Sequence, residues 1–348
     1  MTQSTPQPNR INAFQLAKFS IDLHPALAVG KQRIEQRQGL VVSLTDEQQC
    51  TFFVEVSPLS GLDRDNQPIH GFSAESLAET EQWLAQQLNS LIDAPITRIA
   101  ELAEAAPYAS VRFGLSILAA KMTQDFNQWR SDTRNVPLVF DGMSPALVEQ
   151  KVHAATDHFI KVKVAQTSID SEIAFIHKLL QLNPRLKLRL DANRGFDLAQ
   201  ACDFLSCLPK SSIEYIEEPC IRPQDNPTLY QSVAVKYALD ESLNSPDYQF
   251  SPEAGLGALV IKPSIFGSIS AIQTLVEQAQ QHGVQCIFSS ALESDIAIND
   301  IKILSHAITP ESIPGLDTLA SFDTKLVESG ELNMAALNII ASAKTTRE

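Results

Sequence analysis

The sequence predicts an α/β protein, a closed barrel of parallel strands with helical crossovers behind a smaller N-terminal α+β domain, and two observations carry that expectation. From about residue 136 onward, short apolar runs near 136–140, 159–164, 187–191, 213–217, 236–240, 258–262 and 285–289 alternate with helical patterns. Repeated β-then-α units mean parallel strands, and an eighth run near 313–316 favours a closed barrel over an open sheet. The second observation is chemical. Three successive runs end in acid: Asp191 after Leu188-Arg189-Leu190, Glu217 after Tyr215-Ile216, and Asp240 after Ala238-Leu239. Lys161-Val162-Lys163 ends the run before them, and Lys262 ends the run after. A core does not tolerate such charges unpaired, so their even spacing describes one polar site built from parallel strand ends.

Taken in order, residues 12–56 are strand-like, with 39–44 and 51–56 flanking a polar turn at 45–49 as an antiparallel hairpin. Residues 57–72, rich in Pro, Gly, Asp and Asn, predict a loop. Ser73 and Ser76 precede a helical run to about Ile92, and 108–129 predicts a second, more apolar helix. These elements lack βαβ alternation, which places the α+β domain at 1–130. The barrel is expected over 131–321, with 322–348 packing back on the first domain. Helical patterns at 172–182, 198–208 and 269–282 supply crossovers. No Gly-x-Gly-x-x-Gly turn marks a dinucleotide fold.

The 348 residues are 44% hydrophobic, enough for a globular core, and carry a net charge of −14 without a basic run. Nucleic acid and anionic membrane surfaces are therefore poor partners, and a small molecule is the expected one. No apolar segment approaches the roughly 18 residues of a membrane span, and residues 1–10 do not read as a secretory leader. Cys50, Cys202, Cys207, Cys220 and Cys286 form no Cys-x-x-Cys pair. They read as reduced thiols of a cytoplasmic protein.

Strand periodicity sharpens the site. Side chains two apart share a face, so Lys161 and Lys163 point together while Ile160, Val162 and Val164 point away. The same parity groups Arg189, Asp191 and Asn193, and pairs Ala238 with Asp240 and Val260 with Lys262. Every charged terminus then converges on the barrel axis at the C-terminal rim, where barrel enzymes place their chemistry. Three carboxylates gathered there repel and require a cation or protons. Oxygen ligands without His or Cys favour Mg²⁺. The alternative for each acid alone is a helix cap or an arginine partner, and three in register weaken it.

Two ammonium groups beside a dication lower one another's proton affinity, so one lysine of the Lys161/Lys163 pair can be neutral near pH 7 and act as a base. Lys262, in the apolar run Leu259-Val260-Ile261-Lys262-Pro263, approaches from across the barrel. A carbon acid beside a carboxylate is a suitable target, since a metal can hold the enediolate. The seven histidines form no metal motif, and no Gly-x-Ser-x-Gly elbow is present. Ser289 and Ser290 read either as donors to a substrate carboxylate or as helix caps, and Gly315 either as a backbone N–H donor or as a turn glycine.

These residues resemble the enolase superfamily, in its muconate-lactonizing-like subgroup. The matching segments are Lys161-Val-Lys163, Leu188-Arg-Leu-Asp191-Ala-Asn193, Ile216-Glu217-Glu-Pro219, Asp240-Glu-Ser242, Val260-Ile-Lys262-Pro263, Ser289-Ser290 and Gly315-Leu-Asp-Thr318. Upstream, Glu55-Val-Ser-Pro58-Leu and Gly71-Phe-Ser73 are similar to the family's N-terminal capping domain. The resemblance implies a modified TIM barrel, (β/α)7β, with that capping domain. It implies Asp191, Glu217 and Asp240 as Mg²⁺ ligands, with Mn²⁺ as a substitute. Glu217 is preferred to Glu218 because the family's ligand stands two before the proline, and parity agrees. It further implies Lys163 as base, Lys161 as electrostatic support and Lys262 as stabiliser of the intermediate, with Arg189, Asn193, Ser289, Ser290 and Gly315 in supporting or substrate-binding positions. The implied reaction is dehydration of 2-succinyl-6-hydroxy-2,4-cyclohexadiene-1-carboxylate to 2-succinylbenzoate in menaquinone biosynthesis, a carbon–oxygen lyase activity.

Two alternatives stay open at this point. An N-acylamino acid racemase or dipeptide epimerase on the same scaffold uses the same lysines, both exchanging protons with substrate. A non-catalytic barrel that binds a small acid is the other. Residues 61–70 make a longer join than the family's compact one, and a loop at 22–33 is expected to close over the site. The sequence leaves the oligomeric state open, and a monomer is compatible with it.

Overall fold

The computed structural model describes residues 9–29, 32–63, 67, 73–123, 126–131, 133–245 and 248–345. The chain begins with strands β1 (Ile11–Val29), β2 (Gln32–Asp46), β3 (Thr51–Val56) and β4 (Gly61–Asp63), followed by helices α1 (Leu77–Gln87), α2 (Thr97–Ala105) and α3 (Ala109–Met122). Seven strands come next, each but the fifth followed by an α-helix. In chain order the elements are β5 (Leu138–Phe140), α4 (Pro145–Ala154), β6 (Phe159–Lys163), α5 (Ile169–Leu182), β7 (Lys187–Asp191), α6 (Leu198–Ser206), β8 (Ile213–Glu217), α7 (Asn226–Val233), β9 (Tyr237–Leu239), β10 (Leu256–Ile261), the short α8 (Pro263–Phe266), α9 (Ile269–Gln281), β11 (Gln285–Phe288) and α10 (Asp295–Ile308). A small hairpin, β12 (Val327–Glu328) and β13 (Glu331–Leu332), leads to β14 (Asn338–Lys344).

The first sheet runs β14-β1-β2-β3 with β4 on β2, all antiparallel. Alternation explains it: Leu40, Val42 and Leu44 of β2 face the main core, while Val41 faces a second cluster with Phe19 and Ile21. The expected loop at 57–72 thus contains a strand, because Gly61–Asp63 finds partners on β2. Residues 22–29 and 32–33, expected as a closing loop, instead continue β1 and β2 as one long hairpin. Of the join at 61–70, residues 64–66 and 68–70 lie outside the described residues. The second expected helix stops at Met122, and α2, a helix outside the expected ones, buries Ile99, Leu102 and Ala103 as a short stripe.

The second sheet holds seven parallel strands in the order β11-β10-β9-β8-β7-β6-β5. Every residue of β10 is buried, as expected for a parallel strand covered on both faces. Serine or aspartate caps begin the crossovers: Ser144 for α4, Ser168 for α5, Asp197 for α6 and Ser268 for α9. The eighth run, 313–316, closes the curl without forming a regular strand. Gly315 N–H donates to Phe288 O (2.9 Å), and Val136 N–H donates to Pro314 O (3.1 Å). Pro314 has no N–H to give, so the ladder stays incomplete there. No described helix is long and apolar enough to cross a membrane.

One buried acid joins the two sheets' surroundings. Glu55 on β3 accepts from Ser294 N–H (3.1 Å) and Oγ (2.5 Å) and from Ala297 N–H (3.2 Å), capping α10 from outside its own helix. Burial pushes its carboxyl pKa up, against the pull of these donors. Glu55→Ala orphans them, and is expected to cost about 2–3 kcal/mol. Thermal unfolding followed by circular dichroism checks this; an unchanged midpoint would remove Glu55 from the account of how the first sheet is anchored.

Candidate active site

Strand order arranges the site. Along β6-β7-β8-β9-β10 the strand ends carry Lys163, Asp191, Glu217, Asp240 and Lys262 in that sequence, two cations flanking three acids. Lys163 is the register partner of Asp191, and Asp191 of Glu217. All three acids are 1% exposed, so none is solvated and each needs a partner.

The lysines meet that need. Lys161 Nζ lies 2.8 Å from Asp191 Oδ2 and donates to both oxygens of Glu217 at 2.9 and 2.8 Å. Lys163 Nζ donates to Asp191 Oδ2 (2.7 Å) and to the neutral Asn193 Oδ1 (2.5 Å). Lys262 Nζ pairs with Asp240 Oδ2. Burial opposes the charge on Lys161, but Asp191, Glu217 and Asp240 outweigh it and raise its pKa well above the ordinary value. Lys262 is likewise raised, burial being outweighed by Asp240, Glu241 and Glu217. Burial also opposes ionisation of Asp191, yet Lys161 and Lys163 hold its carboxyl well below the usual range. Glu217 goes the other way, pushed up by burial and then by Asp191 and Asp240.

The carboxylates offer hard oxygen donors. Lys161's ammonium sits between Asp191 and Glu217, and Asp240 Oδ1 is buried without a hydrogen-bond partner among the described residues. Among the described residues no acidic trio closes into one ligand shell. Asp191, Glu217 and Asp240 are the residues that would hold a divalent cation here, with Lys161 beside them. Glu218, which follows Glu217, turns away through a left-handed φ of 39°. Its carboxylate accepts from Asp240 N–H (3.0 Å), Ser242 N–H (2.7 Å) and Arg194 Nε (3.0 Å), bracing the Asp240 turn.

Lys161, Lys163, Asp191, Asn193, Lys262, Ser289, Ser290 and Gly315 line one cavity. Arg189 does not. It lies one pleat below Asp191, beside the Phe159 and Tyr215 rings, with Nε on Glu214 (2.5 Å) and Nη1 on Ile313 O (2.7 Å), where it ties the closing segment to the barrel. Gly315 lines the cavity, but its N–H is engaged by Phe288 O, so it is not the free donor that the sequence suggested. Ser290 Oγ donates to Glu293 (2.8 Å), leaving Ser289, whose Oγ has only a 3.3 Å bond to Gly315 O, as the hydroxyl better placed to turn to a ligand. Neither serine caps α10; Ser294 does.

Glu241 was not among the sequence candidates, yet it lines the cavity and accepts from Asn193 Nδ2 (2.8 Å). Strand parity points it away from the axis, but the strand ends at Leu239 and a 3-10 turn over Glu241–Asn244 swings it back. Leu59 and Leu292, also in the lining, come from segments that only the tertiary fold brings over the rim.

Known proteins give this geometry a lineage. Residues 145–330 match the family model described as enolase C-terminal domain-like, and residues 11–124 match the MenC N-terminal domain. The o-succinylbenzoate synthase of Pectobacterium atrosepticum is 31% identical over 316 residues, 90% of this chain and 92% of that one. The chain belongs to the o-succinylbenzoate synthase family of the enolase superfamily. A second relative in the synthase family, from Yersinia enterocolitica, is 30% identical across 91% of this chain and 93% of its own. Among solved structures, the o-succinylbenzoate synthase from Thermosynechococcus elongatus, complexed with Mg in the active site, superposes with a TM-score of 0.69 at 23% identity, covering 92% of this chain and 97% of that one. A dipeptide epimerase from Enterococcus faecalis, complexed with Mg and L-Leu-L-Tyr, reaches 0.72 at 18% identity, covering 96% and 98%. At such identities both structures speak for the fold alone, and the synthase family assignment rests on the sequence relatives.

Proposed function

We propose that this chain dehydrates 2-succinyl-6-hydroxy-2,4-cyclohexadiene-1-carboxylate to 2-succinylbenzoate, as a carbon–oxygen lyase of menaquinone biosynthesis. The observation that carries the reading is the arc Lys163, Asp191, Glu217, Asp240, Lys262 on consecutive strands of a synthase-family barrel. Membership alone gives the class, and the arc supplies the groups.

In this reading Asp191, Glu217 and Asp240 hold Mg²⁺, which Mn²⁺ can replace. The bound ion would supply positive charge to the substrate carboxylate and so make the adjacent C–H more acidic. Lys163 then takes that proton, its Nζ held by Asp191 and the Asn193 amide oxygen. As the conjugate acid it returns the proton to the departing hydroxyl, and water leaves as the ring becomes aromatic. Lys262, on the opposite flank, keeps its ammonium toward the enediolate. Lys161 stays charged beneath and supports the same site electrostatically. Ser289 orients the substrate. A cytoplasmic location belongs to this reading and is supported by five free thiols.

The test sets two assays side by side on one preparation: ultraviolet loss of the cyclohexadiene chromophore, and racemisation of an N-succinyl amino acid. Rapid, Mg²⁺-dependent loss of the chromophore is expected. Racemisation without chromophore loss would reverse the assignment in favour of the racemase chemistry.

A further inference from the structure

Arg37 on β2 is fully buried, yet no part of the mechanism uses it. Among the described residues its guanidinium donates only to carbonyl oxygens: Nε to Leu292 (2.9 Å), Nη1 to Gln38 (2.6 Å), Pro58 (2.8 Å) and Ser60 (2.8 Å), and Nη2 to Ser57 (3.0 Å). Its charge faces the buried acids Glu55 and Glu293. For packing alone, an apolar side chain of similar length serves as well as a buried cation.

Gln38 is on β2 itself; the other four carbonyls belong to two segments that meet over the cavity. Residues 57–60 follow β3, and Leu292 follows β11. Leu59 sits between the bound Pro58 and Ser60, and both Leu59 and Leu292 line the cavity that holds Lys163 and Lys262. They pack in one apolar cluster with Leu23 and Ile34 of the long hairpin. Leu292 carries a left-handed φ of 62°, a conformation that a leucine keeps only where its surroundings hold it. Two bonds hold it here: Arg37 Nε on its carbonyl, and its own N–H on Ser290 Oγ (2.8 Å).

We propose that Arg37 is a positioning residue for substrate specificity: by clamping the 57–60 segment to Leu292 it fixes Leu59 and Leu292 as the apolar wall that receives the non-reacting part of the substrate. This rests on the dehydration reading of the cavity. A planar fork with five donors can serve both segments at once, whereas a lysine ammonium has three and cannot span them.

Steady-state kinetics of the full chain with Mg²⁺ test the clamp, using Arg37→Met alone and in a Leu59→Ala background. Alone, Arg37→Met raises KM about tenfold and lowers kcat less than about threefold, because ground-state and transition-state contacts with the wall are lost together. In the Leu59→Ala background the same change raises KM less than about twofold, since the wall is already cut back. Equal rises in both backgrounds, an unmoved KM, or a loss carried by kcat overturns the proposal. Should Arg37→Met not fold, Arg37→Lys carries the same cycle, keeping the charge without the fork. Wild-type turnover is measured first: its absence overturns the assigned reaction and this proposal with it, whereas normal turnover with an unmoved variant KM overturns the clamp alone.

Discussion

Lys163→Ala lowers the rate of chromophore loss by about 10⁴-fold, at the upper end of what a positioned acid–base group contributes. The size follows from the arrangement of the arc. Lys161 contacts two carboxylates and Lys262 is paired with Asp240, so both are held as cations. Lys163 touches one carboxylate and a neutral amide, and it occupies the flank from which a proton can be taken and returned. Its removal leaves Asp191 still neutralised by Lys161, so the fold and the metal site persist. Circular dichroism and Mg²⁺ titration by calorimetry, run beside the kinetics, are expected to match wild type. A variant that retains a near-normal rate removes Lys163 as the base.

Asp191→Asn is the second large effect. Asp191 is the carboxylate shared by Lys161 and Lys163, and its pKa is held low by both despite burial. The amide keeps the shape and loses the charge. Mg²⁺ affinity is expected to fall by more than the roughly 10–100-fold that loss of an outer-shell partner costs. Turnover at saturating Mg²⁺ falls as well, because two buried ammonium groups lose their common partner. Calorimetric titration with Mg²⁺ checks the first part. Unaltered affinity excludes Asp191 as a ligand, and turnover by wild type stripped of divalent ions would exclude the metal altogether.

Much of this site is legible in the sequence because strand ends are. The runs at 187–191 and 213–217 are β7 and β8 residue for residue, since strands covered on both faces are mainly apolar on the way to the rim. A charge closing such a run marks the rim, and period two gives its side. Period two does not give depth. Arg189 shares a face with Asp191 but lies two residues, about 6–7 Å, lower, which puts it in the barrel interior rather than at the substrate. Parity also ends with the strand, so Glu241, carried by the turn after Leu239, was hidden. The eighth run was legible at 313–316, but not that Pro314, lacking an N–H, leaves its ladder incomplete. Leu59, Leu292 and Arg37 were out of reach for another reason: their neighbours lie far away in sequence, and only packing of the first sheet on the barrel rim brings them together.

The proposed site unites three strand-end carboxylates with two flanking lysines. A crystal structure grown with Mn²⁺ and 2-succinylbenzoate, with anomalous data to locate the metal, tests it most directly. One anomalous peak is expected, with Asp191, Glu217 and Asp240 oxygens in its coordination shell at about 2.2 Å. The product carboxylate is expected between Lys163 and Lys262, with the succinyl arm against Leu59 and Leu292. A metal bound elsewhere, or a product seated away from the two lysines, would contradict it.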